Sequence, residues 1–178
     1  MSGSEGSTVT FRRRQPNPDS ASLLRFARRL QREVAKGKPF DCLVAGDAEL
    51  RRLNREFRGK DYATDVLSFP APAGMEKALV ASRKRLGPGE KSGTRASRAD
   101  RGVRPTLGDI AISLARARAQ ARAFGHTTES EIRILILHGL LHLLGMDHET
   151  DGGRMARAEA RWRARLGLPG GLIERVRA

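Results

Sequence analysis

A chain of 178 residues is long enough for one domain with a real core and too short for two comfortable ones. Its 34 Lys and Arg against 20 Asp and Glu leave a formal charge of +14 and a pI near 11.4. Such a surface draws polyanions, nucleic acid first among them, although an arginine-rich proteome would raise the same count without making a binding face. Aromatic residues make up only 4%, so extensive base stacking is not the obvious binding mode. The single Cys42 excludes an internal disulfide framework and suits a reducing compartment. MSGSEGSTVTF holds no signal-like apolar stretch, and no run of about 18 apolar residues occurs. The expectation is a cytoplasmic protein with no membrane segment.

In chain order, Thr8 to Arg13 reads as a short strand, broken by Pro16 and Pro18. Asp19 caps a helix whose inward face is Leu23, Ala27, Leu30 and Val34, stopped at Gly37. Residues 40–45 form a buried strand, in which Cys42 is a small apolar side chain. Asp47 is expected to cap a second helix carrying Leu50, Leu53 and Phe57 on one face. The turn Arg58-Gly59-Lys60-Asp61 leads to a strand from Asp65 to Phe69, ended by Pro70.

Residues 73–105 differ in kind, with nine basic residues against Glu76, Glu90 and Asp100 and few large apolar side chains. They read as a basic, mobile surface insertion, able to serve as an electrostatic arm on an RNA backbone or simply as a solvated loop. Order returns in the alternating strand Leu107 to Ser113, followed by a helix from Leu114 to Phe124. Thr128 and Glu131 predict a capping box that opens the next helix. That helix is apolar nearly all round, from Ile132 to Leu144, and so belongs in the core. A last helix, Arg154 to Leu166, turns Met155, Trp162 and Leu166 inward and its arginines outward. The pattern predicts a small α/β or α+β domain over residues 1–178, with a mixed four-stranded sheet and about five helices.

The buried helix also carries the chemistry. HGLLHLLGMDH at 138–148 places three of the four histidines at offsets of 0, +4 and +10. Residues four apart on a helix lie about 6 Å apart along its axis, so His138 and His142 can reach one ion together. His148, about 15 Å further along a straight helix, cannot. Gly145 supplies the bend, because glycine accepts the left-handed conformation that ends helices. Three neutral imidazoles leave a fourth tetrahedral position open, the arrangement of catalytic zinc sites, though copper, nickel or iron also suit imidazole. One zinc ion per chain is therefore expected.

The same spacing is similar to the zincin pattern HExxHxxGxxH, in which glutamate follows the first histidine as general base. Here that position is Gly139, which argues against peptide hydrolysis by that route, since a general base contributes about 10²–10⁴-fold. Zinc also polarises phosphoryl oxygens. Together with the basic surface, this makes nucleic-acid hydrolysis the better fit.

HGLLHLLGMDH resembles the signature HGxLHLxGYDH of the YbeY family of ribosomal-RNA maturation endoribonucleases. LNREFRGKDYATDVLSFP at 53–70 and LGDIAIS at 107–113 are similar to two further blocks of that family, in the same order. The resemblance implies that His138, His142 and His148 bind one zinc and that Arg58 is an arginine important for RNA cleavage. It implies action on single-stranded RNA, in trimming the 3′ end of small-subunit ribosomal RNA and in ribosome quality control. The implied partners are the ribosome or its assembly proteins, with no DNA. Lys60 would lie on the RNA-binding rim. Asp147 is a candidate acid–base group or acceptor for an imidazole, or a turn cap. Asp65 and Ser68 read as structural, Asp109 as organising the start of its strand, and His126 as a loop or helix-entry residue. Met146 stands where the family has an aromatic, the insertion 73–105 is longer and more basic than usual, and Gly152-Gly153 loosens the start of the last helix. Two other readings remain open from the residues alone: a non-catalytic RNA-binding ribosome assembly factor with structural zinc, and a zinc peptidase or amidase.

Overall fold

A computed structural model describes residues 6–12, 18–71 and 106–170; the basic insertion at 73–105 lies outside them. The first strand, β1 (Thr8–Phe11), is followed by α1 (Ser20–Glu33), β2 (Asp41–Ala45) and α2 (Asp47–Arg58). Then come β3 (Val66–Pro70), β4 (Gly108–Ser113), α3 (Leu114–Phe124), α4 (Thr128–Leu143) and α5 (Arg154–Leu166). The mixed four-stranded sheet and its five helices follow the expected pattern.

Strand order is β1-β2-β4-β3. The first three are parallel, and β3 runs antiparallel along the edge of β4, with Ser68 opposite Ile110. Because side chains alternate across a strand, β2, β3 and β4 each feed two cores. Cys42, Val44, Ile110 and Ile112 point to the larger one, shared with α1, α4 and α5. Leu43, Ala45, Leu67, Phe69 and Ala111 point to the other, closed by Leu50 and Leu53 of α2. The histidine helix and α2 thus lie on opposite faces of the sheet.

Local chemistry sets the helix ends. Asp19 caps α1, its carboxylate accepting from Ala21 N at 2.9 Å. Two caps differ from expectation by one residue. Gly46, not Asp47, is the N-cap of α2. The Asp47 carboxylate instead accepts a hydrogen bond from Ser113 Oγ at the end of β4, while still complementing the helix dipole from the first turn. At α4 the cap is Thr127, whose Oγ1 accepts from Ser130 N at 3.0 Å. Glu131 does not complete a box: it is fully buried and meets His126 Nε2 at 2.5 Å. His126 therefore sits at the start of the helix, away from the other histidines.

Within α4, Ile132, Ile134, Leu135, Ile136, Leu137, Leu140 and Leu141 are completely buried. It packs on β3 and β4 as well as on α1, α3 and α5. Among the described residues, no helix is long and apolar enough to cross a membrane.

At Gly139, α4 lies tightly against the sheet. A Cβ there would lie 2.8 Å from Ile110 Cγ2 and 3.1 Å from Ser68 Oγ. The Ser68 hydroxyl donates to the Gly139 carbonyl at 3.1 Å. Alanine at this position would gain about 1 kcal/mol of helix propensity, but overpacking a filled core costs about 1–3 kcal/mol. Gly139→Ala should therefore lower stability, by up to about 2 kcal/mol in urea unfolding, and an Ile110→Ala background should reduce that penalty. Equal or greater stability of the single variant would show that the sheet yields easily.

Candidate metal centre

His138 and His142 project from successive turns near the end of α4. The helix stops because Gly145 adopts φ +82°, with its N–H donating to His142 O at 2.9 Å and Met146 N donating to Leu141 O at 3.1 Å. The chain then reverses and returns His148 to the other two rings. Ring centroids are 4.8 Å apart for His138–His142 and 5.3 Å for each pair with His148. One nitrogen from each ring lies within 4.8 Å of the others.

These residues fit a bound cation. The two Nε2 atoms of His138 and His142 approach to 3.2 Å, close to the roughly 3.3 Å that separates two ligands of a tetrahedral zinc. His138 is 3% exposed, and its Nδ1 faces Glu159 Oε2 at 3.2 Å. A carboxylate there holds the proton on Nδ1 and leaves the Nε2 lone pair for a metal. His148 Nδ1 is buried and has no hydrogen-bond partner. Burial, followed by the neighbouring His138 and His148, pushes the His142 pKa down to about 4, so its ring is neutral at physiological pH. His142 and His148 are only half-buried, and among the described residues no Cys, Asp or Glu joins the group. Three nitrogen donors with one side open suit a catalytic rather than a closed structural site.

The other expected residues lie around this centre in different ways. The Asp147 carboxylate accepts from Glu149 N at 3.1 Å and from Thr150 Oγ1 at 3.0 Å, bonds that hold its carboxyl below the usual range. It fastens the turn that carries His148. Arg58 ends α2, exposed, ahead of Gly59 at φ +67°. On the same helix, Arg51 and Arg55 both pair with Asp61, and Arg52 pairs with Glu49 and Glu56. Arg58 makes no ion pair among the described residues, and Lys60 beside it is likewise exposed.

No direct bond joins Arg58 to the histidines; strand β3 relates them. On one face of β3, Phe69 packs edge-on against Phe57, the neighbour of Arg58, at 5.1 Å between centroids. On the other, Ser68 bonds the backbone of Gly139, the neighbour of His138. Two consecutive strand residues thus set the positions of both elements.

The profile of the family described as Endoribonuclease YbeY matches residues 15–167. The Endoribonuclease YbeY of Solibacter usitatus is 59% identical over 178 residues, the whole of both chains. That of Koribacter versatilis is 38% identical over 168 residues, covering 94% of this chain and 91% of its own. The chain belongs to the YbeY family. A solution structure of a Thermotoga maritima protein shares the fold, with TM-score 0.50 and 22% identity over 88% of this chain and 85% of its own.

Within a YbeY-family chain, the tight packing at Gly139 removes the basis for the zincin alternative. A glutamate at that position would have its Cβ driven into Ile110 rather than its carboxylate beside the metal. The structure also adds Glu159, which reading the sequence missed. A signal was available: Glu159 lies four residues after Met155 and three before Trp162, on the inward stripe of α5, and is the only acid of that helix. Replacing such an outer partner of a metal-binding histidine weakens metal affinity about 10–100-fold. Glu159→Gln should show a loss in that range by competition with a chromophoric zinc chelator, with the fold intact by circular dichroism. Wild-type affinity would mean that Glu159 does not orient His138.

Proposed function

We propose that this chain is a zinc-dependent endoribonuclease that cuts single-stranded RNA, acting in the cytoplasm on the 3′ end of small-subunit ribosomal RNA and in ribosome quality control. Membership of the YbeY family makes it a nuclease that hydrolyses RNA phosphodiester bonds. The observation that carries the metal-dependent reading is the meeting of His138, His142 and His148 with one side open. Zinc supplies Lewis acidity to such a site, activating water and polarising a phosphoryl oxygen.

The chain's own residues contribute binding and charge. Arg58 holds a planar guanidinium with no ion pair among the described residues, suited to gripping a phosphate through two hydrogen bonds and to stabilising charge as it develops there. Lys60 adds a second cation two residues on. His138 is held in one tautomer by Glu159. We assign Asp147 to positioning His148, because both its carboxylate oxygens are engaged in the turn. The ribosome and its assembly proteins are the partners this reading implies, and RNA rather than DNA is the substrate.

The test is cleavage of a labelled single strand and of its duplex by purified, zinc-loaded protein. Single strands should be cut and duplexes spared, and a chelator or His142→Ala should abolish cutting. Arg58→Ala should lower the rate about 10²–10³-fold, the scale for losing one charge-stabilising donor, with zinc content unchanged. Cutting that persists through chelation and both substitutions would overturn the reading. Tight, salt-sensitive binding without turnover would instead identify an assembly factor with structural zinc.

A further inference from the structure

Among the described residues, two large apolar or aromatic side chains are prominently exposed, Tyr62 at 54% and Phe124 at 51%. Phe124 ends α3 and stacks on His126 at 6.5 Å. Tyr62 stands in the loop between α2 and β3, and its ring meets no other aromatic among the described residues. An exposed aromatic on a loose loop would be unremarkable. This loop is tied down on both sides of the tyrosine.

Asn54, 2% exposed on α2, donates from Nδ2 to the Tyr62 carbonyl at 2.8 Å. The preceding Asp61 carboxylate is gripped by Arg51 through Nε at 2.9 Å and Nη2 at 2.7 Å. Further on, Asp65 accepts from Gln120 Nε2 at 3.1 Å, and its carbonyl accepts from Ser113 N at 2.8 Å. The backbone is thus fixed while the ring stays in solvent, beside an open cleft of about 500 Å³ lined by Asp47, Ala48, Arg51, Asp61 and Ala63. Asp61 is neutralised by its arginine, and Arg58 and Lys60, which make no ion pair among the described residues, lie just upstream. Chain length alone keeps Tyr62 within about 14 Å of Arg58, so both can touch neighbouring nucleotides of one strand.

Resting on the ribonuclease reading above, we propose that Tyr62 is a substrate-binding residue whose ring stacks on an unpaired nucleobase of the RNA. A preordered aromatic loses little entropy on binding, and every base offers a π-face, so the contact is tolerant of sequence. In a duplex those faces are covered by neighbouring pairs, so the contact selects single strands.

The chain holds one tyrosine, so biosynthetic 3-fluorotyrosine labels this ring alone. Titrating the zinc-loaded, labelled protein with a short oligoadenylate should shift the single fluorine resonance, and the matching duplex should shift it far less. Stacking one base contributes about 1–3 kcal/mol, so Tyr62→Leu should raise the dissociation constant and KM about tenfold or more, while Tyr62→Phe and Tyr62→Trp stay near wild type. Zinc content and thermal midpoint, measured alongside, separate lost stacking from lost folding. Wild-type binding by Tyr62→Leu, with Arg58→Ala still impaired, overturns this proposal and leaves the ribonuclease reading standing. Failure of the wild type to bind or cut any RNA overturns both.

Discussion

The position of the metal centre depends on how closely α4 lies against the sheet. At Gly139 the helix backbone comes within hydrogen-bonding distance of Ser68, because residue 139 has no side chain to hold the sheet away. Seven fully buried aliphatic side chains on the same helix, each contributing about 1.5–3 kcal/mol, keep it there. Metal ligands must be held within about 0.5 Å of productive geometry. A helix packed on several sides meets that demand in a way an exposed loop does not. The same close approach also bears on the chemistry. The residue after the first histidine is spent on packing, so it cannot carry the carboxylate that a peptide-cleaving zinc site uses.

Electrostatics completes the centre from the other side. Glu159 and His138 are 2% and 3% exposed, and a carboxylate so far from water is costly unless bonded and compensated. Its bond to Nδ1 fixes the tautomer of His138 and turns the free lone pair toward the other two rings. A cation held by the three rings would supply the opposite charge such a carboxylate favours. Packing from β3 and β4 and charge from α5 therefore act on the same imidazole.

Much of this was legible in the chain because it is local and periodic. Alternation in 107–113 marked a strand with two faces, and the structure gives Ile110 and Ile112 to the large core and Ala111 to the other. The offsets 138, 142 and 148, with Gly145 between, foretold the meeting of the rings. The Asp19 cap was legible as it stands, but those of α2 and α4 only to within a residue. Thr127 and Thr128 are adjacent and chemically equivalent, and Glu131 was claimed by His126, a competition that spacing does not reveal. Asp47 was similarly drawn to Ser113, 66 residues away. Glu159 and Asn54 escaped for the same reason: their partners are set by tertiary packing. Nor could linear order show that β3 would lie at the sheet edge, between the arginine turn and the histidine helix.

Net charge by itself turns out to be a coarse guide to where RNA would bind. Of the four arginines on α2, three are paired with acids one turn away or across the neighbouring loop. The exposed pairs of Arg51 and Arg55 with Asp61 contribute only about 0–1 kcal/mol each, so stability is a weak account of them. Their clearer consequence is to discharge most of the helix and stiffen the loop that follows. The unpaired guanidinium is at the helix C-terminus, where a cation is favoured by the dipole and where Phe57 ties the turn to β3. What distinguishes Arg58 from the other arginines of α2 is therefore the absence, among the described residues, of an acidic partner, which leaves its guanidinium open to an anion.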